Sequence, residues 1–185
     1  FGALQLLLGG LLLATAWNLF GHLAKSSAAS EASGTVVRKL SLVTTYVINF
    51  GVPPLLFAQI LYGRALYTSS TLIATWWIAV VFLIIAAYAL LYRMAKLADE
   101  GRPWWGLGLV SFSLLALVGR IFSTNMTLML TPELWKGMYA ATASGTKLPE
   151  TDPTMWPRFA IVFLGAFSIG ALGTSLWSGL PTISE

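Results

Sequence analysis

An all-α fold, a polytopic transmembrane helical bundle, is what this sequence predicts, and three observations carry the prediction. Hydrophobic residues make up 57% of the 185-residue chain and charged residues only 10%, where a soluble domain carries roughly a quarter charged residues. Mean hydropathy is +0.77, so there are too few charges to cover a water-facing surface, and the remainder faces lipid. Five stretches reach the ~20 apolar residues that a helix needs to cross a hydrocarbon core.

In order, the first span covers about residues 1–22. It lacks a basic n-region and is too long for the apolar core of a signal peptide. Residues 25–39 are rich in Ser, Ala and Gly and read as a mobile linker. The second span covers about residues 40–62, and the short connection 63–70 makes it antiparallel to the third, at about 71–91. The segment 93–103 is charged, and Pro103 suits the start of the fourth span, 105–130. Residues 131–158 form the longest connection. Its Thr131-Pro132-Glu133 opening resembles a helix start, with Thr131 as N-cap and Pro132 at the first position, so a short interfacial helix is expected there. The fifth span covers about 159–180. No internal repeat interrupts the chain, and residues 1–185 read as a single helical domain.

Basic residues in the loops set an orientation. Lys25, Arg38, Lys39, Arg93, Lys96 and Arg102 fall on one side, against Arg64, Lys136, Lys147 and Arg158 on the other. The first side is therefore expected to be cytoplasmic, with Phe1 outside and Glu185 inside. Aromatic belts mark the same boundaries: Trp104, Trp105 and Trp177 at the cytoplasmic interface, and Tyr62, Tyr67, Trp76, Trp135 and Trp156 near the other. The formal charge of +4 is modest, and no nucleic-acid partner is expected.

Polar residues inside the spans are the candidates for function. Arg120 lies about 22 Å along the fourth helix from Trp105 at ~1.5 Å per residue, in the outer half of the membrane. An unpaired guanidinium there costs about 2.5–3.5 kcal/mol even on permissive scales. None of the chain's seven acids falls within a span, so Arg120 reads either as a ligand or partner contact or as a side chain snorkelling to the headgroups. Asn125 reads as a helix–helix tie or a ligand contact. In the second span, Asn49 and Gln59 flank Gly51-Val52-Pro53-Pro54. Two prolines remove two amide donors, so this helix is expected to kink or break, as the broken helices of transporter sites do. Gln59 and Arg120 lie at similar depth and are expected to face one cavity.

His22, the only histidine, sits beside Asn18 at the end of the first span. It reads as an interfacial residue, a proton carrier near a quinone, or one ligand of a haem b that a methionine or partner chain would complete. In the fifth span Ala166 and Gly170 have the small-xxx-small spacing that brings helix backbones close. With no cysteine, thiolate metal sites and covalent haem attachment are excluded. No metal-ligand cluster, phosphate loop or nucleophile–base pattern is present, and no catalytic residue is assigned.

Several strings are familiar together: Asn49-Phe-Gly-Val-Pro-Pro-Leu-Leu-Phe57, Leu61-Tyr-Gly63 with Leu66-Tyr-Thr-Ser-Ser70, Ser123-Thr-Asn-Met-Thr-Leu-Met-Leu-Thr-Pro-Glu-Leu-Trp135, and Asp152-Pro-Thr-Met-Trp-Pro-Arg158. They resemble a group of bacterial integral membrane proteins associated with respiratory electron-transfer modules and multihaem c-type cytochromes. The resemblance covers about residues 49–158. It implies a subunit of the bacterial inner (cytoplasmic) membrane that helps exchange electrons between the quinone pool and periplasmic cytochromes. Relatives place a histidine shortly after the Pro-Arg pair, where this chain has Phe159, Ala160 and Ile161. That departure favours a quinone-site or scaffold role over a haem in this chain.

Three readings follow. The first is an electron-transfer subunit with a quinone or haem pocket built from Asn49, Gln59, Arg120, Asn125 and His22. In it Arg120 and the amides would hydrogen-bond a quinone carbonyl and stabilise the reduced anion. The second is a non-catalytic assembly subunit whose polar residues are interhelical ties. The third is a small transporter component using the broken second helix.

Overall fold

Helix formation follows from the bilayer itself, where backbone amides find no water and must bond within their own segment. The computed structural model describes residues 2–142, 144–149 and 155–179. Among these it places six α-helices and no strand: α1 Gly2–Ala24, α2 Ser27–Leu72, α3 Ala74–Asp99, α4 Trp105–Leu130, α5 Trp135–Ala141 and α6 Met155–Gly179. All except α5 are long and apolar enough to cross a membrane, and the chain is a multi-pass membrane protein. Phe1, Ala143, residues 150–154 and residues 180–185 lie outside the described residues, and with them the Asp152 to Thr154 part of the string that ends at Arg158.

The second helix departs most from expectation. The segment 25–39 is not a linker. Residues 27–39 are helical and continuous with the span, packed antiparallel on α1 with Ser33, Val36 and Val37 buried. Its small residues, which lower hydropathy and so resemble a linker, let two backbones approach. A Cβ on Gly21 would sit 2.6 Å from the Ser30 hydroxyl. At ~1.5 Å per residue, the part of α2 up to Tyr62 is about 52 Å long, well beyond the ~30 Å hydrocarbon core.

Pro53 and Pro54 lie inside this helix without breaking it, and the single non-helical residue is Tyr62, at φ −124° and ψ 21°. Proline's fixed φ is close to a helical value, so the pair deletes two amide donors while the chain's change of direction comes at Tyr62. A second corner at Ile73 then starts α3. The expected loop 63–70 is thus a last stretch of α2. The antiparallel pairing of α2 with α3 holds: Arg38 bonds Asp99 and Thr45 meets Tyr88. Residues 48–54 are exposed without interruption, so these two turns of α2 are not covered by any other described helix.

Two apolar clusters hold the bundle. Leu7, Leu11 and Ala14 of α1 meet Val36, Val37 and Leu40 of α2, Leu91 and Met94 of α3, and Trp104. Ile73, Val80, Ile121 and Leu128 form the other, under α3 and α4. Trp104, expected at the interface, is 2% exposed and belongs to the first cluster. It sits where α4 meets α1, so its ring fills the space between helices.

Helix α6 crosses α1 at the small residues of both. A Cβ on Gly170 would lie 2.5 Å from the Gly9 carbonyl carbon, and Ala166 is buried beside it. The spacing Ala166–Gly170 therefore marks a backbone-to-backbone contact within the chain.

After α4, the chain makes a 3₁₀ turn at Pro132–Leu134 and the short helix α5. Thr131 does not cap it: the hydroxyl donates backward to the Thr127 carbonyl at 3.1 Å. Residues 144–149 fold back on the start of α3, where Thr75 donates to the Ser144 carbonyl and the Trp76 indole to the Thr146 carbonyl, at 2.9 and 2.7 Å. Gly145, at φ +64°, passes so close to Ala74 that a Cβ would come within 2.6 Å of its amide nitrogen.

Candidate functional site

Two concave features lie at opposite ends of the bundle. The first is a groove where α2 bends. The part of α2 before Tyr62 supplies Leu55 and Gln59, the stretch after it supplies Leu66, Tyr67, Ser70 and Thr71, and α3 supplies Ala74, Trp77 and Ile78. It encloses about 330 Å³, is open on one side, and is mostly apolar with one amide and three hydroxyls, those of Tyr67, Ser70 and Thr71. Asn125, fully buried on α4, donates to the Ser70 hydroxyl at 3.2 Å from behind the groove. Its own Oδ1 is buried without a partner.

The second is a polar cleft at the other end, about 540 Å³ in volume. Asn18 sets it up. Its side-chain oxygen accepts the backbone N–H groups of Trp104 and Trp105 at 2.8 and 3.0 Å, while its amide donates to Ser33 at 3.3 Å. The first amides of a helix have no partner of their own, so one α1 side chain caps α4 and ties it to α2. Because Asn18 marks the level of the α3–α4 turn, residues 19–24 project about 9 Å beyond it. With the start of α2 they form one wall of the cleft, and the turn forms the other. His22 lines this wall and is exposed.

The candidate residues therefore do not share one cavity. Gln59 lies in the bend groove, and Arg120 does not line it. The Arg120 guanidinium instead bonds the Thr124 hydroxyl one turn along its own helix and lies 5.8 Å from the Trp156 ring. Trp156 is in the first turn of α6, so Arg120 sits level with the end of a neighbouring helix although α4 runs on for ten residues. Depth counted along one helix missed this, because helices of the bundle end at different heights. The geometry is that of a cation snorkelling to an interfacial tryptophan.

Asn49 is exposed and donates to the Thr45 carbonyl of its own helix at 2.8 Å. His22 stands in the polar cleft, far along the chain's fold from the groove. Asn18 is the residue that sequence reasoning passed over. Its signal was an amide four residues from the end of an apolar span, but its partners are 86 and 87 positions away.

The donor sets can be tested against the groups the sequence suggested. Groove residues Gln59, Ser70, Tyr67 and Trp77 offer hydrogen bonds and two rings to a flat carbonyl-bearing head group, and a quinone fits them. Ser70 accepts from Asn125 and keeps its own O–H to donate. For a haem b this chain offers His22 alone: no methionine lines its cleft and the chain has no second histidine, so a second ligand would have to come from a partner chain. Among the described residues no group of His, Asp and Glu could hold a metal ion.

Ion pairs are confined to the cleft end among the described residues, at Arg38–Asp99 (2.8 Å) and Arg102–Glu100 (3.5 Å). The Arg38 and Asp99 side chains are 45% and 62% exposed. Replacing Asp99 with asparagine is therefore expected to lower stability by under about 1 kcal/mol, and by less at high salt, as thermal unfolding in detergent at two ionic strengths would report.

No family model, no curated protein and no solved structure matches this chain.

Proposed function

We propose that this protein is the integral membrane subunit of a respiratory electron-transfer complex in a bacterial inner membrane, and that it presents the bend groove of α2 to a quinone head group. One observation supports this reading above the others. Strings that carry the family resemblance, though far apart in sequence, converge on the groove: Leu55 from the first, Leu66, Tyr67 and Ser70 from the second, and Asn125 from the third, bonded to Ser70. In this reading Gln59 and Ser70 hydrogen-bond the quinone carbonyls, Tyr67 and Trp77 pack the ring, and the buried Asn125 fixes the Ser70 hydroxyl. Arg120 has no part in holding the head group. A bound quinone would supply the electron and proton chemistry, and the chain would position it. The outer connection containing α5 is the surface for a periplasmic multihaem cytochrome.

Quinone extracted from the detergent-purified chain tests this directly, together with a reduced-minus-oxidised visible spectrum. The expected result is near-stoichiometric quinone, with retention reduced about ten-fold by Gln59→Leu, a loss equivalent to one charge-free hydrogen bond and its packing. The spectrum should carry no b-type haem signal from this chain. Quinone below a tenth of the chain's concentration would overturn the quinone assignment.

A non-catalytic assembly subunit is the second reading, favoured by Asn18 and Asn125, whose amides both bond between helices. Subunits of the complex that stay bound in Gln59→Leu, with no quinone in either form, would favour it. The transporter reading depended on a broken second helix, and α2 continues through both prolines.

A further inference from the structure

The polar cleft at the α1–α2 turn has no role in the quinone reading, and its chemistry is distinct. Three cations line it, Lys25, Arg38 and Arg102, against one carboxylate, Glu31. Asp99 and Glu100 each engage one guanidinium nitrogen of their arginine, and neither acid lines the cleft, so the remaining N–H groups stay available. Lys25 makes no ion pair among the described residues.

The backbone at Lys25 adds a second observation. It is the one described non-glycine residue at positive φ, +52°. Ser26 N–H bonds the Gly21 carbonyl at 3.0 Å, which makes this the left-handed helix end that ordinarily takes glycine. A lysine held there keeps its ammonium at the cleft against the conformational preference of the residue. The first turn of α2, with Ser30, forms part of the same wall, and a helix start carries partial positive charge. Trp104, which also lines the cleft, has a buried indole N–H without a partner.

We infer that this cleft binds a phosphate group. It lies at an end of the apolar bundle, at the level where the Lys- and Arg-rich connections gather. Basic pockets between helices at that level suit the head group of an anionic phospholipid. A free phosphate has the same recognition chemistry, and the experiment separates the two sources. The inference stands independently of the quinone groove.

The test is the thermal unfolding midpoint of the detergent-purified full chain, titrated with short-chain phosphatidylglycerol, with phosphatidylcholine and with inorganic phosphate. Phosphatidylglycerol is expected to raise the midpoint at low salt. Lys25→Gly and Arg102→Gln should each weaken its apparent affinity about five-fold, the effect of one cation near a membrane surface. Lys96→Gln, a cation of the same connection side outside the cleft, should leave the affinity unchanged. Glycine suits the backbone at position 25, so Lys25→Gly should keep or raise the unliganded midpoint, which separates loss of binding from misfolding. A shift reproduced by inorganic phosphate assigns the site to the free anion, and a shift confined to phosphatidylglycerol assigns it to the lipid. No shift with either, an equal shift with phosphatidylcholine, or equal weakening by Lys96→Gln would overturn the inference.

Discussion

Replacing Asn18 with leucine is expected to lower the stability of the bundle by about 2 kcal/mol, in line with leaving one buried and one part-buried backbone donor unsatisfied. The change strips the cap from α4, at Trp104 and Trp105, and releases Ser33 of α2. Hydrogen bonds between membrane helices average well under 1 kcal/mol each because the reference state finds other partners. A helix start is less forgiving, since its amides have no alternative acceptor inside the protein. The contrast is Asn49→Leu, which removes an exposed amide bonded only within its own helix and should change stability by less than about 0.5 kcal/mol. Chemical or thermal unfolding of both variants in the same detergent would check the pair. Equal effects at the two positions would mean that the Asn18 cap contributes nothing beyond an ordinary polar substitution.

The second large effect belongs to the α1–α6 crossing. Gly170→Ala is expected to cost about 3 kcal/mol, at the upper end of overpacking penalties. The new methyl meets the Gly9 backbone, 2.5 Å from its carbonyl carbon and 2.7 Å from its Cα. Backbone cannot rotate away as a side chain does, so the helices must separate and lose contact along their length. Gly51→Ala is the control: nothing lies within 4 Å of a Cβ there, and alanine is the better helix former by about 1 kcal/mol. A crosslink between cysteines introduced on α1 and α6 would show the separation directly, weaker in Gly170→Ala and unchanged in Gly51→Ala.

Much of the bundle was legible before any coordinates because each span answers to a local requirement. The apolar run at 105–130 became α4 with the same limits, since lipid on the outside demands both length and hydrophobicity from a continuous segment. The spacing of Ala166 and Gly170 was legible for a similar reason: two small residues one turn apart leave a notch on one face. Residues 25–39 were misread because hydropathy scores what lipid would tolerate. Ser33 and Gly34 are small for another purpose, to fit against α1 and α3. The rule about rings and water that placed Trp104 at the interface was silent on its neighbours, which come from three other helices.

The groove shows the same division. Gln59, Tyr67 and Ser70 are unremarkable along the chain. They meet because α2 bends at Tyr62, where the second span was expected to end, and then resumes as helix, which sets Tyr67 and Ser70 against Gln59. Arg120 was singled out because it falls within an apolar run, but its partner on α6 depended on where that helix begins.

By itself, then, the sequence determined that this chain has five segments long and apolar enough to cross a membrane, roughly where each lies, and which polar residues fall within them. Only the tertiary structure decided which helices touch, that Asn18 caps α4, that Gln59 and Arg120 look into different spaces, and that Lys25, Arg38 and Arg102 share one cleft. The physical reason is range. Partition into lipid is a property of about twenty consecutive residues, while a hydrogen bond or a shared cavity joins residues many tens of positions apart, through helix rotation, tilt and end height that no single segment encodes.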